Sequence, residues 1–291
     1  WFYPRNKTGD NICDDMGYAI IGASNTRKDF DYLPMARKTS GCVDIVNNGL
    51  PLNIAGNATM CGQSLSYTSV GSSEGVIKFL GSGNRAILDC NGSVFDGDDG
   101  SSDFGVELDA ADDNMTLKNC YINDFGVGIS VGGINTNYQK NSSFINNTIN
   151  SSSVNNIKLT DYCYYNNFMN NTIINSARHG IYVFNDNDWN NFSGNNISYN
   201  GDAGSEYGLW FEHIGNDNNL VWNNYFNNTY NVECEDGNVA NWNISYRKAE
   251  NIFGGDYQGG NYWDDVQCVD HGQWFYPRNK TGDNICDDMG Y

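Results

Sequence analysis

Aspartates spaced closely enough to bind a cation together lie near both ends of the sequence. Six aspartates share that spacing: Asp283, Asp287 and Asp288, and their counterparts Asp10, Asp14 and Asp15. Oxygen ligands in a tight loop suit a hard cation, so the sequence predicts a calcium site in each copy. Lys280 would repel a cation, and a solvated acidic turn explains the same pattern. Asp96–Gly100 is a second candidate of the same kind.

Groups for acid–base catalysis are few. Two of the three histidines follow a charged residue, and with nearby aspartates they could line a cleft for glycoside hydrolysis or β-elimination. The residues concerned are Arg178, His179, Glu212, His213 and either Asp186 or Asp188. Each stands alone among polar neighbours, which favours a solvated surface, and we predict no catalytic residue and no enzyme. Histidines and methionines are also too scattered for copper delivery.

Tryptophans supply the remaining candidate chemistry, which is the stacking of sugar rings. The candidates are Trp189, Trp210, Trp222, Trp242 and Trp263. Trp210 alternates with Leu209 and Phe211, so we expect its side chain to face outward from a strand. An exposed tryptophan fits either a glycan platform or a subunit interface.

Sequons for N-glycosylation are frequent among the asparagines. They occur at Asn6, Asn57, Asn91, Asn114, Asn141, Asn146, Asn150, Asn170, Asn191, Asn196, Asn227, Asn243 and Asn279. Some of them recur for reasons of fold. The number still predicts a glycosylated protein at the cell surface or outside the cell, with N-linked glycans on the sequons that face outward.

The two ends of the sequence are identical. Residues 1–18 and 274–291 both read WFYPRNKTGDNICDDMGY. We interpret the chain as one 273-residue period of a longer array, or of a polymer that spans a junction, because arrays of near-identical modules are typical of extended structures. A cloning artefact or a terminal duplication is the alternative. We expect copies of the chain to be its partners, joined end to end.

Cysteine usage agrees with that period. The nine cysteines are Cys13, Cys42, Cys61, Cys90, Cys120, Cys163, Cys234, Cys268 and Cys286. Cys286 repeats Cys13, which leaves eight per period, enough for four disulfides in an oxidising compartment. Their connectivity is open. A Cys268–Cys286 pair near the junction is one hypothesis, in which Cys13 would pair with a preceding module, and some cysteines could simply be small buried residues.

Composition excludes several classes of partner. The net charge is −19 and the pI about 4.2, which argues against nucleic acid and anionic membranes as partners. The sequence has no apolar run long enough for a membrane span. Asparagine is a poor helix former and a common turn residue, and 47 asparagines indicate a β-rich protein with many turns.

A repeat of about 24 residues runs through the middle of the chain. Phe144, Phe168 and Phe192 are spaced by 24 residues, and each opens a segment with asparagine in the middle and isoleucine at its end. A second apolar strand follows each segment. Two short strands per coil, at a fixed spacing, predict a parallel β-helix. An antiparallel sandwich is the alternative, and it would show hairpin turns and no fixed register.

This register predicts three stacks along the coils. The phenylalanines would stack on one another, as would Ile149, Ile173, Ile197 and Phe226. Asn147, Asn171, Asn195 and Asn224 would form a ladder in which each side-chain amide donates to the next coil. We also expect these asparagines to adopt the left-handed backbone of a tight corner.

Several segments resemble a known family. Ile87–Gly92, Phe104–Leu108 and Met115–Cys120 resemble the opening coils of right-handed parallel β-helix proteins of the NosD-like and archaeal surface-protein type. Gly260–Asp265 resembles the G-N-Y-W-x-D motif that closes their modules, after which an acidic segment follows. The sequence departs from that segment, because Arg278, Lys280 and Thr281 replace its first aspartates. The family includes surface, carbohydrate-active and metal-delivery proteins, so the resemblance does not determine the function.

These observations together define our expectations. We expect an all-β, right-handed parallel β-helix in residues 38–273, with residues 1–37 as the tail of a preceding module and 274–291 as the start of the repeated segment. The predicted function is a structural subunit or tandem module of an extracellular filament, sheath or surface layer, stabilised by disulfides. The alternative is a secreted lyase, hydrolase or glycan-binding β-helix protein.

Overall fold

The chain is built from short strands joined by tight corners. The computed structural model describes residues 37–39, 42–44, 52–67, 75–79, 85–100, 102–109, 112–132, 138–201, 205–213, 215–235, 240–264 and 285–286. All of these belong to the unit Tyr32–Tyr291. Within these ranges every regular element is a strand.

Three long sheets contain most of the strands. Sheet 1 contains β4 (Ala58–Thr59), β7 (Ile87–Asp89), β10 (Thr116–Lys118), β14 (Ser143–Ile145), β18 (Asn167–Met169), β21 (Asn191–Ser193), β24 (Asn219–Trp222) and β27 (Ala240–Asn241). Sheet 2 contains β5 (Ser64–Ser66), β8 (Val94–Asp96), β11 (Tyr121–Asn123), β15 (Thr148–Asn150), β19 (Thr172–Ile174), β22 (Asn196–Ser198), β25 (Tyr225–Asn227), β30 (Asn261–Trp263) and β31 (Ile285–Cys286). Sheet 3 contains β3 (Leu52–Ile54), β6 (Gly75–Phe79), β9 (Phe104–Leu108), β12 (Val127–Val131), β16 (Asn155–Leu159), β20 (His179–Val183), β23 (Leu209–Phe211) and β26 (Val232–Cys234).

The chain passes through the three sheets in turn, and each strand pairs in parallel with the equivalent strand of the next coil. The exception is β31, which pairs antiparallel with β30. Three small sheets lie beside the long ones: β1 (Arg37–Thr39) with β2 (Cys42–Asp44), β13 (Gln139–Lys140) with β17 (Cys163–Tyr164), and β28 (Arg247–Lys248) with β29 (Tyr257–Gln258). The fold is therefore a parallel β-helix, as the sequence predicts.

The predicted register is confirmed. Leu117 pairs with Phe144, Phe144 with Phe168, Phe168 with Phe192 and Phe192 with Val221, which gives steps of 27, 24, 24 and 29 residues. The expectation of two strands per coil is wrong, because each coil contributes three. The segment beginning at Phe144 is two strands, β14 and β15, separated by a corner at Asn146-Asn147.

The core lies inside the coils and consists of stacked identical or similar side chains. The rings of Phe144 and Phe168 lie 4.6 Å apart between centroids and those of Phe168 and Phe192 5.0 Å apart, within 9° of parallel. Ile173 pairs in register with Ile197, and both are fully buried. Period-2 alternation turns the neighbouring residues of each strand toward solvent.

The predicted asparagine ladder is present and extends one coil further than expected. Asn147, Asn171, Asn195, Asn224 and Asn261 are buried in succession, and each of the first four donates its side-chain amide to the Oδ1 of the next. The expectation that these asparagines adopt the left-handed backbone is wrong. The preceding residue takes that conformation instead, with φ of 54° at Asn146 and 55° at Asn170.

Candidate functional site

The predicted calcium residues Asp10, Asp14, Asp15, Asp283, Asp287 and Asp288 lie outside the described residues. The loop Asp96–Gly100 is described, and Asp96 accepts a hydrogen bond from Nδ2 of Asn123 at 2.7 Å. Within the described ranges, no three His, Cys, Asp or Glu side chains are grouped so that they could hold a metal ion. The structure therefore does not support a calcium site in that loop.

The described residues contain two disulfides, both in the N-terminal part of the β-helix. Cys42 and Cys61 are 19 residues apart in the sequence. Cys90 and Cys120 are 30 residues apart, and their disulfide joins two successive coils. Cys163 is a buried thiol whose Sγ donates to the carbonyl of Val131 at 3.4 Å. Disulfides of this kind indicate a location outside the cytoplasm. Cys13 and Cys268 lie outside the described residues, as does the side chain of Cys286.

The described sequons lie at or near the surface. Five of their asparagines are exposed, namely Asn57, Asn91, Asn141, Asn146 and Asn170, and six are half-buried, namely Asn114, Asn150, Asn191, Asn196, Asn227 and Asn243. Asn6 and Asn279 lie outside the described residues. The fully buried asparagines of the ladders are not sequon asparagines. The fold thus leaves the sequons on the outer surface of the coils.

His179 is not on a solvated surface, which corrects our expectation for it. Its side chain is 1% exposed, and its ring lies 4.6 Å from that of Trp210, 5.6 Å from Tyr182 and 6.1 Å from Tyr207 between centroids. Its Nδ1 accepts the backbone N–H of Tyr207 at 3.0 Å. Burial lowers the pKa of His179 to about 4, so the imidazole is neutral at pH 7 with its proton on Nε2.

The rings of Tyr182 and Trp210, which pack on His179, belong to a row of outward-facing side chains on sheet 3. Lys158, Tyr182, Trp210 and Glu233 pair in register on four successive strands, from β16 to β26. Trp210 lies between the buried Leu209 and Phe211, so it faces outward as predicted. We refer to Tyr182, Tyr207, Trp210, Glu212 and Glu233 as the aromatic–glutamate face.

Hydrogen bonds fix the carboxylates of this face to its phenols. The hydroxyl of Tyr182 donates to Oε2 of Glu212, and Glu233 accepts a hydrogen bond from the hydroxyl of Tyr207. The Trp210 ring lies 5.4 Å from that of Tyr182 and 6.0 Å from that of Tyr207. Partial burial raises the pKa of both carboxyl groups. The arrangement presents flat apolar rings beside fixed hydrogen-bond acceptors.

Other predicted catalytic neighbours are not part of this face. Arg178 is exposed, with Nε 3.8 Å from Oε1 of Glu206. The ring of His213 packs edge-on against Phe184, with centroids 4.8 Å apart. The Asp188 side chain accepts the backbone N–H of Asp217 at a corner between sheets 3 and 1. Of these candidates, Glu212 is hydrogen-bonded to Tyr182 and His179 packs against Trp210. Sequence reasoning missed Tyr182 and Tyr207, although Tyr182 follows the strand register between Lys158 and Trp210.

The five tryptophans do not form one sugar-binding stripe, which corrects that expectation. Trp242 is buried, and Trp263 stacks on the core residue Phe226 at 4.6 Å. Trp189 stacks on Tyr165 at an exposed corner, and the guanidinium of Arg247 lies 5.0 Å above the ring of Trp222 on sheet 1. Trp210 alone of the five lies on the aromatic–glutamate face.

The closing motif carries the second feature of functional interest. Asn261 of β30 ends the asparagine ladder, and β30 pairs with β31 through Asn261 opposite Cys286 and Tyr262 opposite Ile285. Strand β31 lies within the second copy of the terminal repeat. The repeated segment therefore adds a strand to the last coil of sheet 2.

The fold and these two surfaces define a parallel β-helix protein. The sequence matches the family described as periplasmic copper-binding protein (NosD) over residues 35–268, so the chain belongs to the NosD family. No curated protein sequence matches it. No helix long and apolar enough to span a bilayer occurs in the parts of the chain that are described.

Solved structures that are similar to parts of this chain include a surface adhesin and a tailspike protein. PfbA, a surface adhesin of Streptococcus pneumoniae, matches with a TM-score of 0.41 and 11% identity over 72% of this chain and 60% of that one. The Dettilon tailspike protein matches with a TM-score of 0.32 and 17% identity over 65% of this chain and 50% of that one. The chain therefore spans less than two thirds of the length of either protein.

The family description names copper, and the described residues do not fit a copper site. His179 is enclosed by aromatic rings, Cys163 lies in the interior of the coils, and Met60 and Met115 are part of the hydrophobic core. Copper needs several imidazole or sulfur ligands that converge on one point. These side chains serve packing instead.

Proposed function

We propose that this chain is a structural module of an extracellular or cell-surface assembly in which copies join end to end. The observation that carries the proposal is the pairing of β31 with β30, because it gives the repeated terminal segment a definite role. Ile12-Cys13 in the first copy is identical to Ile285-Cys286. The first copy can therefore pair with β30 of another module as β31 does here, by taking the place of that module's own second copy.

The physics of the fold supports such joining. A β-helix coil pairs with a coil on each side, and the last coil leaves unpaired backbone groups that must be capped or covered. The closing strands are β27, β31 and β26 in the three sheets. An added strand from a neighbouring module satisfies backbone groups at such an edge without changing the coils.

The surface supports a role outside the cytoplasm. Two disulfides stabilise the first coils, the sequons lie on the outer surface, and the net charge is −19. Glycans and carboxylates would keep an assembled wall or fibre hydrated. Calcium bound by the aspartates of the repeated segment would lie at the junction. We propose no enzymatic activity for this module.

Electron microscopy of the unreduced protein tests the proposal. We expect filaments or sheets with an axial repeat of a few tens of Å, because coils stack at about 4.8 Å. Ile12→Pro should abolish assembly while leaving the melting temperature unchanged, whereas the matched variant Ile285→Pro should also loosen the closing strand of its own chain. Dispersed monomers of the wild-type chain at every concentration would overturn the proposal.

A further inference from the structure

We propose that the aromatic–glutamate face binds an uncharged polysaccharide, a chain of neutral hexoses or N-acetylhexosamines. The chain would lie along the axis of the β-helix. This activity is independent of end-to-end joining, because the face lies on the side of the coils. Tyr182, Trp210 and Glu233 come from β20, β23 and β26, whereas Tyr207 precedes β23 and Glu212 follows it. A linear chain parallel to the axis would meet one member of the row on each coil.

The rings provide the apolar part of the site. Tyr182, Tyr207 and Trp210 are half-buried, and Tyr230, 5.9 Å from Tyr207 between ring centroids, is 47% exposed. Tyrosine and tryptophan combine a flat apolar face with a polar tip, which matches the C–H faces and hydroxyl edges of a hexose. Four such side chains from neighbouring coils form a continuous surface.

The carboxylates provide the polar part. Glu212 and Glu233 each accept a hydrogen bond from a tyrosine of the face, which holds them in place. An ionised carboxylate has about four acceptor positions, so most remain available for sugar hydroxyls. Acceptors fixed beside aromatic rings are the usual arrangement for orienting a ligand that has many hydroxyl groups.

Two buried donors beneath the face also lack partners. Nε2 of His179 and Nε1 of Trp210 are buried and make no hydrogen bond within the described residues. Buried donors are almost always satisfied, so an unsatisfied pair in one cluster needs an explanation. A sugar oxygen bound at this face is an acceptor that would satisfy such donors.

The charge of the face selects an uncharged ligand. Glu212 and Glu233 both interact electrostatically with Glu235. The cations close to Glu212 are Lys158 and Arg178, and Arg178 also pairs with Glu206, in a chain of net charge −19. A polymer of uronic acids or sulfated sugars would be repelled by this field. A neutral polysaccharide is not repelled by these carboxylates.

The fold itself does not require aromatic residues here. On the preceding coils the same outward row holds Lys78, Glu107 and Ser130. Lys78 and Glu107 form an ordinary surface ion pair at 3.2 Å. The change from such residues to Tyr182 and Trp210 is therefore local to this face.

Isothermal titration of the full chain with soluble β-glucan and chitohexaose tests the proposal, with polygalacturonate as the charged comparison. We expect binding of at least one neutral chain and none of polygalacturonate. Trp210→Ala should weaken binding about tenfold or more, since a ring contact is lost. Trp222→Ala, which removes an outward tryptophan of sheet 1, is the matched control and should bind as the wild type does.

Melting temperatures of both variants separate a binding defect from misfolding. The proposal is overturned by binding of polygalacturonate alone, by no binding of either neutral chain, or by equal losses in Trp210→Ala and Trp222→Ala. It is also overturned if Trp210→Ala abolishes assembly, which would make the face a contact between copies. Failure of assembly with sugar binding intact would count against the proposed function only.

Discussion

Oδ1 of Asn195 accepts two hydrogen bonds from Asn171, one from its backbone N–H at 2.9 Å and one from its side-chain amide at 3.0 Å. The same amide of Asn171 also donates to the carbonyl of Phe144 at 2.9 Å. Oδ1 of Asn171 also accepts the backbone N–H of Asn147, so this one buried side chain satisfies two backbone groups of the preceding coil, on both sides of that coil's corner. Repetition of this pattern fixes the register of the coils more strictly than apolar stacking can.

Asn171→Ala should therefore be strongly destabilising. It leaves the backbone N–H and the side-chain amide of Asn147 without their shared acceptor, and both of these donors are buried. We expect a loss of about 2 to 4 kcal/mol in the free energy of unfolding, measured by urea denaturation. Asn170→Gly is the control, because Gly194 already occupies the equivalent left-handed position one coil later. Similar losses in both variants would contradict a specific role for the ladder.

Acid should destabilise the protein through His179. The pKa of this histidine is about 4 in the fold and about 6.5 when unfolded, so between these values the unfolded chain binds more protons. Its contribution is complete above pH 6.5 and falls with pH by up to about 3 kcal/mol by pH 4. Unfolding free energies at pH 7 and pH 4.5 measure this.

His179→Gln should flatten that part of the pH profile, and the matched control is the exposed histidine variant His213→Gln. A profile unchanged by His179→Gln would show that other groups cause the acid sensitivity. Carboxyl groups such as Glu212, whose pKa is raised by burial, act in the opposite direction as the pH falls.

The coil register could be predicted from the sequence because identical side chains stack at a constant step. Phe144, Phe168 and Phe192 keep their spacing since a ring of another size would leave a void in the core. The corner within each segment was predicted, but its left-handed residue lies one position earlier than expected. Asn146-Asn147 carries both a left-handed residue and a ladder residue, and the sequence does not distinguish them. The aromatic–glutamate face was only partly predictable: Tyr182, Trp210 and Glu233 follow the strand register, whereas Tyr207 and Glu212 lie outside the strands.

Removal of the inter-coil disulfide should destabilise the first coils. Cys90→Ala combined with Cys120→Ala opens a link across 30 residues, and we expect a loss of about 3 kcal/mol in unfolding free energy. Cys234→Ala should change little, because Cys234 is a free thiol. Urea denaturation with and without a reducing agent measures the effect. The reductant should lower the stability of the wild type more than that of the double variant.

Glycan occupancy should follow the exposure of each sequon in a glycosylating host. We expect glycans at Asn57, Asn91, Asn141, Asn146 and Asn170, where the side chain is exposed. We expect none at Asn150 and Asn191, since Nδ2 of each donates a hydrogen bond to an asparagine of the preceding coil, and a glycan on that nitrogen would displace it. Glycopeptide mass spectrometry after enzymatic deglycosylation in heavy-oxygen water reports each site. Full occupancy at Asn150 with a native melting temperature would contradict the hydrogen bond from its Nδ2 to Oδ1 of Asn123.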